Sequence, residues 1–475
     1  MHVKQFYLGC LAHASYLIAD QKSGVAAVID PQRDIDQYLE EAQRLGVKIQ
    51  HVLLTHFHAD FVAGDRELQK RCGATIYFGA KARPEYAHQK LADGDAIEFG
   101  DTRIVALTTP GHTPEGASFV LYDLAKSRTE PHAVFTGDTL FIGDVGRPDL
   151  LGSIGFAAAD LANMLYDSLH EKLLKLPDAT LVYPTHGAGS LCGKNLSTET
   201  VSTIGAQRKD NYAVQPMSRA DFVAMITAGQ PTAPRYFVHD AIMNRRARAT
   251  VDDLIGEANH ALPLDEVLRM QAAGAQVVDV RDDVAVGGGT MVGAFHVPLQ
   301  GSFATWAGAL LALDKDLVVL ADPGTEQEAI VRLLRVGLDR VRGYLQGGFA
   351  AIASRRELVQ TTPQITLDEL RQRLATTKPP LVLDVRTPTE WSAGHIDGAL
   401  HIPLIELESR MAEVPRDRQL AVICRTSNRS ASAVGLLRRA GVTNLLHVLG
   451  GMSKWSPAGA GSCGTSGTSC SGGKP

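Results

Sequence analysis

Short apolar runs recur along the chain, and most of them end at a polar or charged residue. Runs of this kind predict short buried strands, here at residues 6–8, 15–18, 25–29, 51–54, 104–107 and 180–182. A helix-like stretch covers residues 61 to 71 and stops before Gly73. Because strands alternate with helical stretches, the pattern predicts an α/β multidomain chain with polar groups collected at strand ends.

The segment after the run at 51–54 carries the most distinctive chemistry. Thr55-His56-Phe57-His58-Ala59-Asp60-Phe61 places two imidazoles and a carboxylate where a strand gives way to a helix. Loops at strand ends can aim several ligands at one point, and such nitrogen and oxygen donors bind transition metals. Taken alone, the motif is also compatible with a polar turn that contains histidines by chance.

Three further motifs put a metal-binding side chain at the end of a predicted strand. His112 follows the run at 104–107, Asp138 follows Phe135-Thr136-Gly137, and His186 follows the run at 180–182. Several separate motifs that share one structural position are much stronger evidence than one motif. They favour a metal centre at the strand ends, and the spacing alone would add His58 to its ligands.

In order and type, these motifs resemble those of the metallo-β-lactamase superfamily, whose signature is HxHxDH. One position departs from the signature, because Phe61 stands where the last histidine is usual. That histidine usually serves the second metal of a dinuclear zinc site, and phenylalanine has no lone pair to offer. The resemblance implies an αββα sandwich with metal at one edge of its two sheets, and the departure favours a single metal.

The segment from Gly137 to Asp149, GDTLFIGDVGRPD, resembles the persulfide dioxygenase branch of that superfamily. This resemblance implies a mononuclear Fe(II) centre with three protein ligands, His56, His112 and Asp138. It also implies three residues that act through hydrogen bonds rather than as iron ligands, namely His58, Asp60 and His186. Weaker candidates for pocket roles, with packing or a salt bridge as the alternative, are Asp144, Arg147 and Tyr183.

Residues 251 to 457 contain an internal repeat. Matching segments recur at offsets of 103 or 105 residues. For example, Val278-Asp279-Val280-Arg281 returns as Leu383-Asp384-Val385-Arg386. Each copy therefore predicts one small α/β domain with a parallel sheet, and both copies resemble rhodanese domains. We expect a metallo-β-lactamase domain at 1–250, a first repeat at 259–356 and a second repeat at 362–457.

The second repeat carries a cysteine between a predicted strand at 421–423 and a helical stretch that begins at Ser430. Backbone N–H groups at a helix N-terminus and nearby guanidinium groups favour a thiolate, which is a good nucleophile towards sulfane sulfur. A buried core cysteine is the alternative, and this context argues against it because it calls for exposure. The loop resembles the six-residue rhodanese loop, although the family usually has glycine at Ser427. The predicted catalytic residues are Cys424 and Arg429, and the predicted substrate loop contains Arg425, Thr426, Ser427 and Asn428.

The first repeat differs at the decisive position. Ala321 takes the place of the cysteine, and the loop carries Asp322 and Glu326 where the second repeat is basic. Alanine cannot carry sulfur, and acidic side chains repel thiolate and sulfite. We therefore expect the first repeat to be catalytically silent and to act as a spacer or docking surface.

The composition of the chain limits its possible partners and cellular compartment. The chain has 475 residues, 45% of them hydrophobic and 21% charged, and a net charge of −5. Nothing in these values favours nucleic acid or a membrane as a partner. Six cysteines in a chain of this length do not make a disulfide framework, so we expect a cytoplasmic protein with reduced thiols. A homo-oligomer is neither required nor excluded.

The end of the chain, residues 458–475, is rich in glycine and serine and contains Cys463 and Cys470. Such a composition cannot bury a core and predicts a flexible arm. The arm could carry thiols or be a simple disordered end, and composition favours the second.

Together these features predict iron-dependent oxidation of a low-molecular-weight thiol persulfide by O2 to sulfite. Cys424 would then pass sulfane sulfur to sulfite and give thiosulfate. Glutathione, coenzyme A and other thiols remain open as the carrier. One alternative is a glyoxalase II-like zinc thioester hydrolase with an accessory sulfurtransferase, which Phe61 and the fused second repeat disfavour. Another is a sulfur-relay binding protein with a vestigial metal site, against which all three facial ligands argue.

Overall fold

The computed structural model describes residues 1–150 and 155–455. Its N-terminal part contains two mixed six-stranded sheets. Along the first sheet lie β1 His2–Leu8, β2 His13–Asp20, β3 Val25–Ile29, β4 Lys48–Leu54, β5 Thr75–Gly79 and β6 Gln89–Leu91. Along the second lie β7 Ala96–Phe99, β8 Thr102–Thr108, β9 Ala117–Asp123, β10 Ala133–Gly137, β11 Leu181–Pro184 and β12 Ser202–Thr203. All six strands expected from the apolar runs are present.

The two sheets share one hydrophobic core, because side chains alternate between the faces of each strand. Phe119, Leu121 and Phe135 pack with Ile29 and Leu53 of the first sheet. Val120, Val134 and Val182 point the other way and pack against helical residues such as Leu165 and Phe222. Helices thus cover the outer faces of the sheets, and the expected αββα sandwich is confirmed.

Seven α-helices precede the first repeat in the described residues. They are α1 Asp36–Leu45, α2 Asp65–Cys72, α3 Ala158–Asp167, α4 Ile204–Asp210, α5 Arg219–Thr227, α6 Tyr236–Arg245 and α7 Val251–Ala258. The helix predicted from residue 61 begins only at Asp65, so its predicted start was wrong. The backbone before it is held by distant partners: Val62 N–H donates to Arg335 O over 2.7 Å and Gly64 N–H to Pro31 O over 2.8 Å.

Each repeat folds around a five-stranded parallel sheet. The first contains β13 Ala261–Leu262, α8 Leu264–Ala272, β14 Gln276–Asp279, α9 Asp283–Gly288, β15 Thr290–Met291, β16 Phe295–His296, α10 Phe303–Leu310, β17 Leu317–Leu320, α11 Glu326–Leu334, β18 Val341–Leu345 and β19 Val359–Gln360. The second contains β20 Gln364–Ile365, α12 Leu367–Leu374, β21 Leu381–Asp384, α13 Pro388–Ser392, β22 Leu400–His401, β23 Leu420–Ile423, α14 Asn428–Arg439 and β24 Leu445–Val448.

The two sheets have the same strand order, β13-β18-β17-β14-β16 and β20-β24-β23-β21-β22. Their closing glycine pairs also match, since Gly348 and Gly451 adopt positive φ angles of 56° and 62°. A Cβ on either glycine would lie 2.5 Å from the backbone of the opposite loop, at Ala321 O and Arg425 O. The sequence repeat is therefore a structural repeat.

The chain forms two compact units. One contains residues 1–282 and 289–360, and the other contains residues 283–288 with the described residues from 361 to 455. The first repeat thus belongs largely to the unit of the metal motifs. The four-part division of the sequence stays a prediction, and its last part, with Cys463 and Cys470, lies outside the described residues. Among the described helices, none has the length and apolar character needed to cross a bilayer.

Candidate metal centre and cysteine loop

Three of the predicted metal ligands meet at the ends of three strands. His56 follows β4, His112 follows β8 and Asp138 follows β10. One donor atom of each lies within 4.8 Å of the other two, and all three residues are buried. Asp138 Oδ2 is 3.8 Å from His56 Nε2 and 3.4 Å from His112 Nε2. Two ligands of one ion at about 2.1 Å lie about 3 Å apart, so this donor set fits one metal after small side-chain movements.

Hydrogen bonds on the far side of each imidazole select the tautomer that a metal needs. His112 Nδ1 is 2.8 Å from Arg147 O, which can only accept, so Nδ1 carries the proton. Thr55 Oγ1 donates to Asp30 Oδ2 over 2.8 Å and therefore accepts from His56 Nδ1 over 2.9 Å. Burial lowers the pKa of both histidines. Both are thus neutral imidazoles with an Nε2 lone pair directed at Asp138.

Asp138 is held from its other side by His186. His186 Nδ1 donates to Asp138 Oδ1 over 2.8 Å, and His186 Nε2 lies 2.8 Å from Asp60 Oδ2. Burial opposes the charged forms of Asp138 and His186, but their mutual attraction outweighs it. The pKa of Asp138 therefore lies far below its usual value and the pKa of His186 well above. Asp60 and His186 thus support Asp138 and lie outside the three-residue donor set.

His58 faces away from that donor set. Its Nε2 is 3.0 Å from Asp30 Oδ1. The same carboxylate accepts from Thr55 N over 2.8 Å and from Thr185 Oγ1 over 2.9 Å. Asp30 therefore ties together the segments that precede His56 and His186, as well as His58 itself.

Phe61 occupies a ring cluster next to this network. Its ring centroid lies 4.4 Å from that of His58 and 4.0 Å from that of His13. His13 lies on β2 and is also 5.8 Å, centroid to centroid, from His186. All four rings are buried. The phenylalanine thus fills, with packing contacts, a position at which the superfamily signature has a donor.

A second group of donor atoms lies beside the first. Asp60, His186 and Cys192 each contribute one atom within 4.8 Å of the others. His186 Nε2 and Asp60 Oδ2, 2.8 Å apart, form an ion pair when His186 is protonated. Burial raises the pKa of the Cys192 thiol to about 12, so the thiol is protonated at neutral pH.

The three weaker pocket candidates have structural partners. Asp144 accepts from Lys194 N, Asn195 N and Tyr212 Oη over 2.7 Å each. Arg147 makes two hydrogen bonds to Asp149, of 2.7 and 2.6 Å. The remaining candidate, Tyr183, stacks on Phe135 in the core. Loop support and packing account for all three, although Arg147 also fixes the ligand His112 through its carbonyl oxygen.

Cys424 lies at the end of β23, beneath the N-terminus of α14. Its Sγ accepts from Ser427 N over 3.2 Å and from Ser430 Oγ over 3.4 Å. Ser427 has φ 136°, a conformation that favours glycine. The expected exposure of the thiol was wrong, because the loop folds over it and leaves it fully buried.

The charged side chains near the cysteine are not equivalent. Arg429 makes two 2.7 Å hydrogen bonds to Glu390, so its charge is already matched. Arg425 and Thr426 are exposed, and Asn428 begins α14. The roles predicted for these four loop residues stay predictions.

Two segments of the chain, in the N-terminal domain and in the second repeat, match models of known protein families. The family model described as the metallo-beta-lactamase superfamily matches residues 8–186, and that of the rhodanese-like domain matches residues 366–458. Mitochondrial persulfide dioxygenase ETHE1 of Bos taurus is 34% identical over 207 residues, which is 42% of this chain and 69% of the relative. The chain belongs to the metallo-beta-lactamase superfamily.

Two further proteins are similar to this chain. Hydroxyacylglutathione hydrolase of Rhodospirillum rubrum is 30% identical and spans 50% of this chain and 83% of the relative. The solved metallo-beta-lactamase of Staphylococcus aureus subsp. aureus COL is 32% identical, with a TM-score of 0.64, and covers 72% of this chain and 98% of that one. The superfamily therefore includes both oxidising and hydrolytic relatives of this chain.

Within the metallo-beta-lactamase domain, sequence reasoning missed three residues that contact the candidate centre: His13, Asp30 and Cys192. Asp30 had a signal, because it ends the apolar run at 25–29 as the ligands end theirs. His13 and Cys192 lie outside every recognised motif, and only the folded chain brings them to the site.

Proposed function

We propose that the metallo-beta-lactamase domain oxidises a low-molecular-weight thiol persulfide. In the balanced reaction, R–S–SH, O2 and water give RSH and sulfurous acid, which ionises to sulfite. The observation that carries the proposal is the donor set of two imidazoles and one carboxylate at His56, His112 and Asp138. This set is typical of mononuclear Fe(II) oxygenases, and the similarity to a persulfide dioxygenase supports it.

A ferrous ion held by these residues would supply open coordination positions for O2 and for the persulfide sulfur. The chain's own residues prepare that site. Thr55 and Arg147 fix the two imidazoles. His186 Nδ1 lies 2.8 Å from Asp138 Oδ1 and 3.0 Å from Oδ2, and so fixes the carboxylate. A small cavity beside the three ligands is lined by the threonines Thr55, Thr109, Thr113 and Thr139. The hydroxyl groups of Thr55 and Thr139 donate to Asp30 Oδ2 and Thr109 O, so they support the walls of a site with little room for bulk water.

The second repeat would transfer sulfur through Cys424. Its thiolate attacks the outer sulfur of a persulfide, forms a cysteine persulfide and releases the thiolate of the carrier. Sulfite then attacks the outer sulfur, the sulfur–sulfur bond breaks, and thiosulfate leaves with the Cys424 thiolate restored. The N–H of Ser427 points at this sulfur and can stabilise its anion. The rhodanese-like family match over residues 366–458 supports this part.

The hydrolytic alternative keeps one specific observation in its favour, the similarity to hydroxyacylglutathione hydrolase. A hydrolase of that class would use zinc-activated water on a thioester. We prefer the dioxygenase because Phe61 contributes ring packing rather than a metal donor. We also propose a cytoplasmic location, since six cysteines in 475 residues suit a reducing compartment.

The test is anaerobic purification, metal quantitation and oxygen-electrode assays with several persulfides. We expect iron, and O2 uptake that depends on persulfide. Cys424→Ser should keep the O2 uptake and lose the transfer of sulfur to sulfite. Cys72→Ser, which changes an exposed thiol, should keep both activities. Zinc with thioester cleavage and no O2 uptake would instead establish the hydrolase.

A further inference from the structure

His447 lies under the cysteine loop, where neither the sequence motifs nor the proposed reaction gives it a role. It lies on β24 and is buried. Its Nε2 is 3.0 Å from Ser430 Oγ and 3.2 Å from Ser427 O. Ser430 Oγ in turn is 3.4 Å from Cys424 Sγ. A buried imidazole thus reaches the reactive sulfur through one hydroxyl group.

The Ser430 hydroxyl has more possible acceptors than hydrogens, so the protonation of His447 decides which acceptor it serves. Ser430 has a single hydroxyl hydrogen and two acceptors for it, Cys424 Sγ and Ser427 O, the second at 2.8 Å. If His447 Nε2 lacked a proton, it would be a third acceptor. If Nε2 carries the proton, it donates to Ser430 Oγ or Ser427 O, and the hydroxyl hydrogen is left for sulfur. The tautomer of His447 therefore controls whether Ser430 donates to Cys424.

Gln364 selects that tautomer. Its Nε2 donates to Asp283 O over 2.6 Å, which identifies this atom as the amide nitrogen. The same nitrogen lies 3.5 Å from His447 Nδ1. An amide nitrogen only donates, so Nδ1 accepts and Nε2 bears the proton.

The charged groups around the cysteine are paired with one another. Arg429 pairs with Glu390 at 2.7 Å, and Arg386 pairs with Asp384 at 2.7 Å. Arg425 is exposed on the loop. The hydrogen bonds to a thiolate at this place therefore come from neutral donors, which are the N–H of Ser427 and the hydroxyl of Ser430.

The first repeat supplies a comparison inside the same chain. Its ladder pairs Ala261 and Val319 with Tyr344, as the second repeat pairs Gln364 and Val422 with His447. With this register, the first repeat has four replacements, Ala261 for Gln364, Ala321 for Cys424, Gln327 for Ser430 and Tyr344 for His447. The copy without the sulfur carrier thus also lacks every member of the hydrogen-bond chain, although the fold is the same.

We propose that His447 is a positioning residue for Cys424, which directs the Ser430 hydroxyl at the sulfur and so stabilises its anionic form. When the thiol ionises, its proton leaves to solvent and the Ser430 hydrogen turns from Ser427 O to Sγ, while His447 Nε2–H donates to the two oxygens. The same donor serves the persulfide anion. This role deepens the proposed sulfur transfer and rests on it for its purpose.

The test measures alkylation of Cys424 by iodoacetamide across a pH series, on the full chain and by peptide mass spectrometry. Ser430→Ala and His447→Phe should move the midpoint of the profile up by about one pH unit, which is about tenfold slower alkylation on the acid side. Ser430→Thr and His447→Gln keep a donor and should stay near the wild type. Tyr344→Phe, at the matching position of the first repeat, is the control and should change nothing.

Because His447 acts through Ser430, the double variant should have the midpoint of Ser430→Ala alone. Additive shifts, or midpoints that do not move in the single variants, would overturn the proposal. If His447→Phe does not fold, Gln364→Leu provides the second variant, with the same upward shift expected. A wild type with the expected profile and no sulfur transfer would refute the proposed function and leave this inference intact.

Discussion

Asp30 holds together the segments that precede His56 and His186 at the candidate metal centre. Its carboxylate accepts from Thr55 N, Thr55 Oγ1 and Thr185 Oγ1 and lies 3.0 Å from His58 Nε2. An asparagine has one oxygen for the three donors from Thr55 and Thr185, and its NH2 group would meet the others. We expect Asp30→Asn to lower iron affinity by about 10- to 100-fold, measured by competition with a chelator.

Asp20→Asn is the matched control for that change. Asp20 is also a buried carboxylate at a strand end, but it accepts from Ser23 N and Asp101 N, in a different part of the fold. Its replacement should leave iron affinity unchanged. Equal affinity in Asp30→Asn and the wild type would show that the Asp30 network does not position the ligands.

Ser427 holds a backbone conformation that glycine adopts more easily. At φ 136° a side chain is strained, and relief of such strain is worth about 1 kcal/mol. Ser427→Gly should therefore raise the denaturant midpoint for unfolding of the second repeat, measured by the fluorescence of Trp391 and Trp455. Ser427→Ala keeps the Cβ and should not raise it. A lower midpoint for the glycine variant would contradict the strain argument.

At the scale of elements, the helices α13 and α14 are joined by the ion pair of Glu390 and Arg429. Burial opposes the charge of Glu390, but Arg429 outweighs it and lowers the pKa from 4.5 to about 2. The stability from this pair is therefore complete above pH 4.5 and is lost as the pH falls towards about 2.

Glu390→Gln tests this dependence. The unfolding midpoint of the wild type should fall more steeply than that of the variant between pH 4.5 and about 2. Glu413→Gln is the control, because Glu413 pairs with Arg410 at the surface, and it should keep the slope of the wild type. Parallel acid profiles for Glu390→Gln and the wild type would show that the pair adds no stability.

The strands and their polar ends could be predicted from the sequence, because each apolar run is local and ends at the residue that carries the chemistry. His56, His112 and Asp138 were found this way. The start of α2 could not be predicted, since Val62 and Gly64 pair with Arg335 and Pro31, far away in sequence. His13 and Cys192 could not be predicted either, because only the folded chain brings them to the site. The burial of Cys424 depends on how its loop folds back over the sulfur.

At the scale of the whole molecule, the first repeat is more than a spacer, because it packs against the metal domain within one compact unit. Arg33 is fully buried and makes hydrogen bonds to Asp339 of 2.5 and 3.0 Å and to Glu67 of 3.2 Å. The neighbouring Asp34 accepts two 2.6 Å hydrogen bonds from Arg335. These two reciprocal ion pairs join the loop after β3 to the first repeat.

Loss of the buried arginine should weaken the unit strongly. Arg33→Met removes the buried cation that Glu67 and Asp339 share, although Glu67 keeps Arg248. Breaking a buried pair in this way costs about 3 kcal/mol. We expect a lower urea midpoint for the release of bound metal. Arg335→Met, which breaks a more exposed pair, should have a smaller effect. An unchanged midpoint in Arg33→Met would mean that the buried pair does not stabilise the unit.

The proposed oxidation depends on a single metal ion held by His56, His112 and Asp138. Anomalous diffraction at the iron edge, from crystals of the full chain grown without oxygen, tests this directly. We expect a single iron peak between His56, His112 and Asp138, and none between Asp60, His186 and Cys192. Two metal peaks, one in each group, would contradict the proposed mononuclear dioxygenase and would favour the hydrolytic alternative.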